Sequence, residues 1–131
     1  MSKYLYPAIF TKEDSGYSVN FPDIENCFTS GETLVEAMEM AKDVLCLTLY
    51  GLEEEGKTIP SASAVNNIHH DENSFVSLVD CDTIEYRKFF NNKAVKKTLT
   101  IPSWLNDLAE KNEVNFSSIL QEALKKKLRI E

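Results

Sequence analysis

The sequence predicts an α+β protein in two units: a front β-β-β-α-β unit over residues 1–88 and a rear β-α-α unit over residues 89–131. Three observations predict it. Short stretches rich in aromatic and β-branched residues alternate polar with apolar at a period of two, as half-buried strands do. Behind them, apolar residues recur at three- and four-residue steps over residues 34–52, the signature of one long amphipathic helix. The charge also changes sign along the chain. Residues 1–88 hold 6 basic and 16 acidic side chains, a net of −10, whereas residues 89–131 hold 8 basic and 5 acidic, a net of +3.

In the front unit, Tyr4-Leu-Tyr-Pro-Ala-Ile-Phe10 reads as the first strand. Pro7 has no N–H to donate, which places this strand at a sheet edge or at a bulge. Glu13-Asp-Ser-Gly16 is a turn, and Tyr17, Val19 and Phe21 alternate with Ser18 and Asn20 in a second strand antiparallel to the first. Residues 21–26 form an irregular connection, and residues 27–30 supply a short third strand. Thr33 and Glu36 have capping-box spacing and start the helix. Leu34, Ala37, Met38, Ala41, Leu45, Thr48, Leu49 and Leu52 form its apolar face, and Gly56 stops it. Glu53, Glu54 and Glu55 stand at the end where the helix dipole disfavours anions, a placement that a basic partner would explain. Residues 57–73 are a polar loop, residues 74–80 a fourth strand, and residues 83–90 a short helix or turn.

In the rear unit, residues 95–101 have a period of two. Val95, Lys97, Leu99 and Ile101 share one face; Lys96, Thr98 and Thr100 share the other. Pro102 suits a helix start. Trp104, Leu105, Leu108 and Ala109 mark the stripe of a first short helix. Asn115 is a good N-cap for a second, whose apolar positions include Phe116, Ile119, Leu120, Ala123 and Leu124. About forty residues is near the size below which a domain needs a staple or a partner. A second copy is the natural partner, with Leu99, Ile101, Trp104, Leu105, Ile119 and Leu120 in the dimer core. Two paired strands make an antiparallel ribbon that fits the DNA major groove. Lys96, Thr98 and Thr100 would then meet base edges, while Asn115, Ser117, Ser118 and the free amides of residues 116–118 meet phosphate.

Lys96-Lys-Thr-Leu-Thr-Ile-Pro102 and Asn115-Phe-Ser-Ser118 resemble the ribbon-helix-helix repressors. The front unit resembles the HicB antitoxin family, whose members carry Y-P-A-x-F, G-Y-x-V-x-F-P-D, G-C-x-x-x-G and T-x-x-E-A. The matching stretches here are Tyr6-Pro-Ala-Ile-Phe10, Gly16-Tyr-Ser-Val-Asn-Phe-Pro-Asp23, Cys27-Phe-Thr-Ser-Gly31 and Thr33-Leu-Val-Glu-Ala37, followed by Ile59-Pro60. Asn26 stands where the family usually has glycine. The resemblance implies a degraded ribonuclease-H-like front domain that blocks a HicA-type toxin, a basic messenger-RNA endonuclease. It also implies a rear domain that binds the operon's promoter as a homodimer and represses it; the sequence leaves open whether such dimers pair into tetramers. The −10 front suits a basic partner, with Glu53, Glu54 and Glu55 as candidate toxin contacts.

No enzyme is expected. Asp80, Asp82 and Glu85 cluster at a strand end, but no early carboxylate stands mid-strand to complete a two-metal site. His69 and His70 lie in the polar loop without a nucleophile beside them, and no cofactor or metal is implied. Cys27, Cys46 and Cys81, odd in number and widely spaced, read as reduced thiols. No apolar run approaches a membrane span, and the N-terminus leads straight into a strand pattern, which points to the cytoplasm. Two rivals remain: a ribbon-helix-helix regulator whose front domain senses a small molecule, and a residual nuclease that uses Asp80 and Asp82.

Overall fold

The computed structural model describes residues 3–130. The chain divides into two compact units, one ending at Lys93 and the other beginning at Ala94. The front unit runs β1 (Lys3–Glu13), β2 (Gly16–Asn20), β3 (Phe28–Gly31), α1 (Leu34–Glu54), β4 (Ser74–Asp82) and α2 (Thr83–Phe90). A 3-10 turn at Val65–Asn67 interrupts the long loop. Residues 83–90 are helical throughout because the Asp82 side chain accepts from the amides of Ile84 (3.0 Å) and Glu85 (3.3 Å). That helix crosses the expected division at residues 88/89.

The four strands form one antiparallel sheet in the order β3-β2-β1-β4. Period-two alternation puts Tyr6, Ala8 and Phe10 of β1, Val19 of β2, and Val79 and Cys81 of β4 into the core. Ala37, Ala41, Leu45 and Leu49 of α1, four residues apart, complete it. Phe21, Ile24 and Cys27 from the irregular connection are also buried. Each large side chain so removed from water stabilises the fold by about 1.5–3 kcal/mol.

Pro7 corrects one expectation. β1 is an inner strand with a continuous register to β4, from Lys3↔Asp82 to Thr11↔Ser74. β2, however, pairs with β1 only from Ile9 to Glu13. Beside Pro7, β1 is bonded on the β4 side alone, so the missing N–H costs no bond to β2.

Local signals explain the remaining ends. Asn26 adopts φ 57°, a left-handed conformation that asparagine tolerates better than most residues and that glycine adopts freely. Thr33 Oγ1 accepts from the Glu36 amide at 3.1 Å and opens α1. α1 closes in a Schellman motif: Gly56, at φ 66°, donates to Glu53 O and Lys57 donates to Leu52 O.

The rear unit contains α3 (Ser103–Lys111) and α4 (Phe116–Leu128). Asn115 caps α4, its Oδ1 accepting from Ser118 N at 3.0 Å. Residues 95–101, expected as a strand, carry no secondary structure in the single chain. A strand exists through its ladder, and none of the described strands pairs with this segment.

Candidate functional site

In the rear unit no described residue is buried. The expected dimer-core residues lie open to solvent: Trp104 is 65% exposed, Leu99 56% and Ile119 53%, with Ile101 and Leu105 also exposed and Leu120 half-buried. These are apolar side chains at helical spacing that stand open to solvent, the kind of patch that marks an interaction surface. Lys96, Thr98 and Thr100 are exposed along residues 95–101, and Asn115, Ser117 and Ser118 are exposed at the start of α4. One detail changes. The Ser118 amide is bonded to the Asn115 side chain, so it is not free for a phosphate as the sequence suggested. The hydroxyls of Ser117 and Ser118 remain at that helix end.

The front unit's acidic helix end is built differently from its expected form. Glu53 Oε2 accepts from Tyr4 Oη at 2.6 Å and from Thr83 Oγ1 at 3.0 Å, and its Oε1 accepts from Arg87 Nη2 at 3.0 Å. Arg87 also pairs with Glu54, and its guanidinium lies over the Tyr50 ring, 4.6 Å from the centroid. Lys57 pairs with Glu55 at 2.8 Å. The three carboxylates therefore have internal counter-charges, which corrects the premise that only a partner could supply them. Burial acts to raise the Glu53 pKa. The hydrogen bonds it accepts, those from Tyr4, Arg87 and Thr83 among them, outweigh burial and hold it down at about 2.

Sequence reading missed Arg87. Its signal is weak but real: it is the sole arginine of residues 1–93, and a guanidinium suits a shared carboxylate pair better than an ammonium does. Tyr86 packs beside it against Tyr50 and Phe90 in tilted ring pairs, with centroids 5.2 and 4.5 Å away.

The other candidate chemistry is engaged structurally. Asp80 pairs with Lys42 at 3.0 Å, and Asp82 caps α2. His70 Nδ1 lies 3.1 Å from Asp71 O on an exposed loop. Among the described residues, no group of three His, Cys, Asp or Glu side chains could hold a metal ion, and no helix is long and apolar enough to cross a membrane. Cys27, Cys46 and Cys81 are free thiols. An open polar cleft beside β2 and β3 is lined by Ser15, Ser30 and the carboxylates of Glu13, Glu32 and Glu36.

Comparison with known proteins covers both units. A family described as the HicB-like antitoxin of bacterial toxin–antitoxin systems matches residues 6–124. Antitoxin HicB of Escherichia coli K12 is 41% identical over 66 residues, which are 50% of this chain and 48% of that one. The match thus spans about half the length of that relative. The structure of a toxin–antitoxin complex from Streptococcus pneumoniae contains a chain 33% identical, with TM-score 0.61, covering 95% of this chain and 99% of that one. A HicA3 and HicB3 toxin–antitoxin complex contains a chain 26% identical, with TM-score 0.52, covering 60% of this chain and 99% of that one.

Proposed function

Since this chain belongs to the HicB-like antitoxin family of bacterial toxin–antitoxin systems, we propose that it neutralises a HicA-type messenger-RNA endonuclease and represses its own operon. The front unit binds the toxin, and the rear unit binds promoter DNA as a dimer. On this reading the front unit is a degraded ribonuclease-H-like domain, and residues 94–131 complete a ribbon-helix-helix fold only when two copies pair. The observation that carries the proposal is that the family match, residues 6–124, runs through both units. It is supported by the HicA3–HicB3 complex among the similar structures and by the exposed apolar faces of α3 and α4.

The chain acts by binding and not by catalysis. Asp80 and Asp82, the candidates for a residual nuclease, hold Lys42 and the start of α2. Toxin association is steered by the acidic front surface, to which Glu54 and Glu55 contribute as half-exposed groups. DNA is read by Lys96, Thr98 and Thr100, with Asn115, Ser117 and Ser118 at the backbone.

The test looks for a toxin-sized gene directly beside this one and co-expresses the two. Growth should be restored, the two products should co-purify, and a fragment of the shared promoter should shift in a gel with the purified antitoxin. A folded chain that neither restores growth nor co-purifies with that product would overturn the toxin assignment. Absence of a specific shift would overturn the repressor assignment.

A further inference from the structure

We propose that Cys46 and Cys81 form a dithiol site that hydrogen peroxide oxidises to an intramolecular disulfide, stapling α1 to β4. The three thiols of the front unit differ in setting. Cys27 is buried, and its sulfur points at Val44 O, 3.9 Å away. Cys81 is also buried, on the core side of β4 with Val79. Cys46 stands on α1 beside Leu45, packed against the same core yet partly exposed. α1 lies against β4, and the Cys81 S–H donates to the Cys46 sulfur, which also accepts from the backbone N–H of Asp82. The partly exposed member of the pair can meet a small solute, and the buried member backs it from the core.

This arrangement divides the chemistry between the two residues. The hydrogen bond from Cys81, joined by that from the Asp82 amide, outweighs burial and the opposing charges of Asp43 and Asp80, and holds the Cys46 thiol below its ordinary range. The same bond, together with burial, pushes the Cys81 thiol up. A thiolate is the form that attacks peroxide, so Cys46 reacts first. Its sulfur bonds to one oxygen of hydrogen peroxide, the O–O bond breaks, and the hydroxide that leaves takes up a proton as water. Cys46 is then a sulfenic acid. The Cys81 sulfur attacks it next: the S–S bond forms, the S–O bond breaks, and the departing hydroxide carries off the Cys81 proton as a second water. The two sulfurs lose two electrons, and the peroxide gains them. Cys27, its thiol raised by burial, takes no part. In a reducing compartment such a bond is transient, as redox-sensing disulfides are.

The experiment uses the full chain, reduced, freed of reductant and treated with hydrogen peroxide. Remaining thiols are blocked, and the chain is digested with trypsin without reduction. Cleavage after Lys12, Lys42, Lys57 and Arg87 puts Cys27, Cys46 and Cys81 on three separate peptides, residues 13–42, 43–57 and 58–87. Peptides 43–57 and 58–87 should appear as one linked species that dithiothreitol separates. The oxidised chain should still run as a single copy on a denaturing gel, and its titratable thiols should fall from three to one. Cys81→Ala should leave Cys46 as a sulfenic acid that dimedone captures, and Cys46→Ala should leave Cys81 a thiol. Should either variant fail to fold, wild type treated with peroxide and dimedone together decides, the tag appearing on Cys46. Three thiols that survive excess peroxide, a link that includes Cys27, a link only between copies of the chain, or a dimedone tag on Cys81 overturns the site.

Discussion

Glu53 joins the two ends of the front unit's chain path. Its carboxylate takes hydrogen bonds from Tyr4 at the start of β1, Thr83 at the start of α2 and Arg87 one turn later. Its folded-state pKa of about 2 lies below the ordinary 4.5. The stabilisation is therefore fully present above pH 4.5 and is lost as pH falls towards 2. Glu53→Gln should cost about 2–4 kcal/mol at pH 7 and much less at pH 3, because it leaves Arg87 with a weaker partner. Urea unfolding at the two pH values measures the difference. In the rear unit, Thr98→Ala with Thr100→Ala should abolish promoter-specific binding while leaving helicity unchanged. A lost base contact costs about 1–3 kcal/mol, and a dimer loses each one twice. A gel-shift titration against circular dichroism checks both halves. The Asn115 cap was legible in the sequence because it depends on neighbours within a few positions. The Glu53–Arg87 contact was not, because it spans thirty-four positions and no local pattern encodes it.

The connection from β3 into α1 is a tight joint. A Cβ on Gly31 would lie 2.4 Å from the Ala37 backbone nitrogen, and one on Gly16 would lie 2.3 Å from Gly31 O. Backbone cannot yield as a flexible side-chain tip does. Gly31→Ala should therefore destabilise the front unit by about 1–3 kcal/mol, seen as a lower urea midpoint at unchanged slope. Element types in the front unit followed from period and caps: strands where alternation was clear, α1 from Thr33 to Gly56. Strand order was harder to read. Pro7 signals an edge correctly at its own position, but β1 is flanked by β4 there and by both neighbours further on. β4 runs two residues past its expected end at residue 80, up to Asp82, which serves as both the last strand residue and the cap of α2, while α2 keeps the expected limits of residues 83–90. Residues 95–101, expected as a strand from their period of two, carry none in the single chain, because no described strand pairs with them.

Across the whole molecule the two units differ in how they reach a stable state. The front unit encloses its own core, so a chain cut after Lys93 should fold alone and still neutralise the toxin, while losing repression. Growth rescue and a promoter reporter separate these outcomes. The acidic surplus of residues 1–88 should make toxin association fall with salt as the screening length shortens from about 10 Å at 0.1 M to about 3 Å at 1 M. Dissociation should change less, and stopped-flow mixing at several salt concentrations measures both. This division of charge was readable from composition alone; which surface meets the toxin was not, since net charge has no direction. The rear unit's open apolar faces have a further consequence. If two rear units complete one core, as proposed, their folding is a second-order process, governed by how often two copies meet. A freshly made, scarce antitoxin would carry a finished head and an unfinished tail, able to silence the toxin but not the promoter. Only as copies accumulate would the tails find one another, so the same chain becomes its own census of abundance, and repression begins when protection is already in hand.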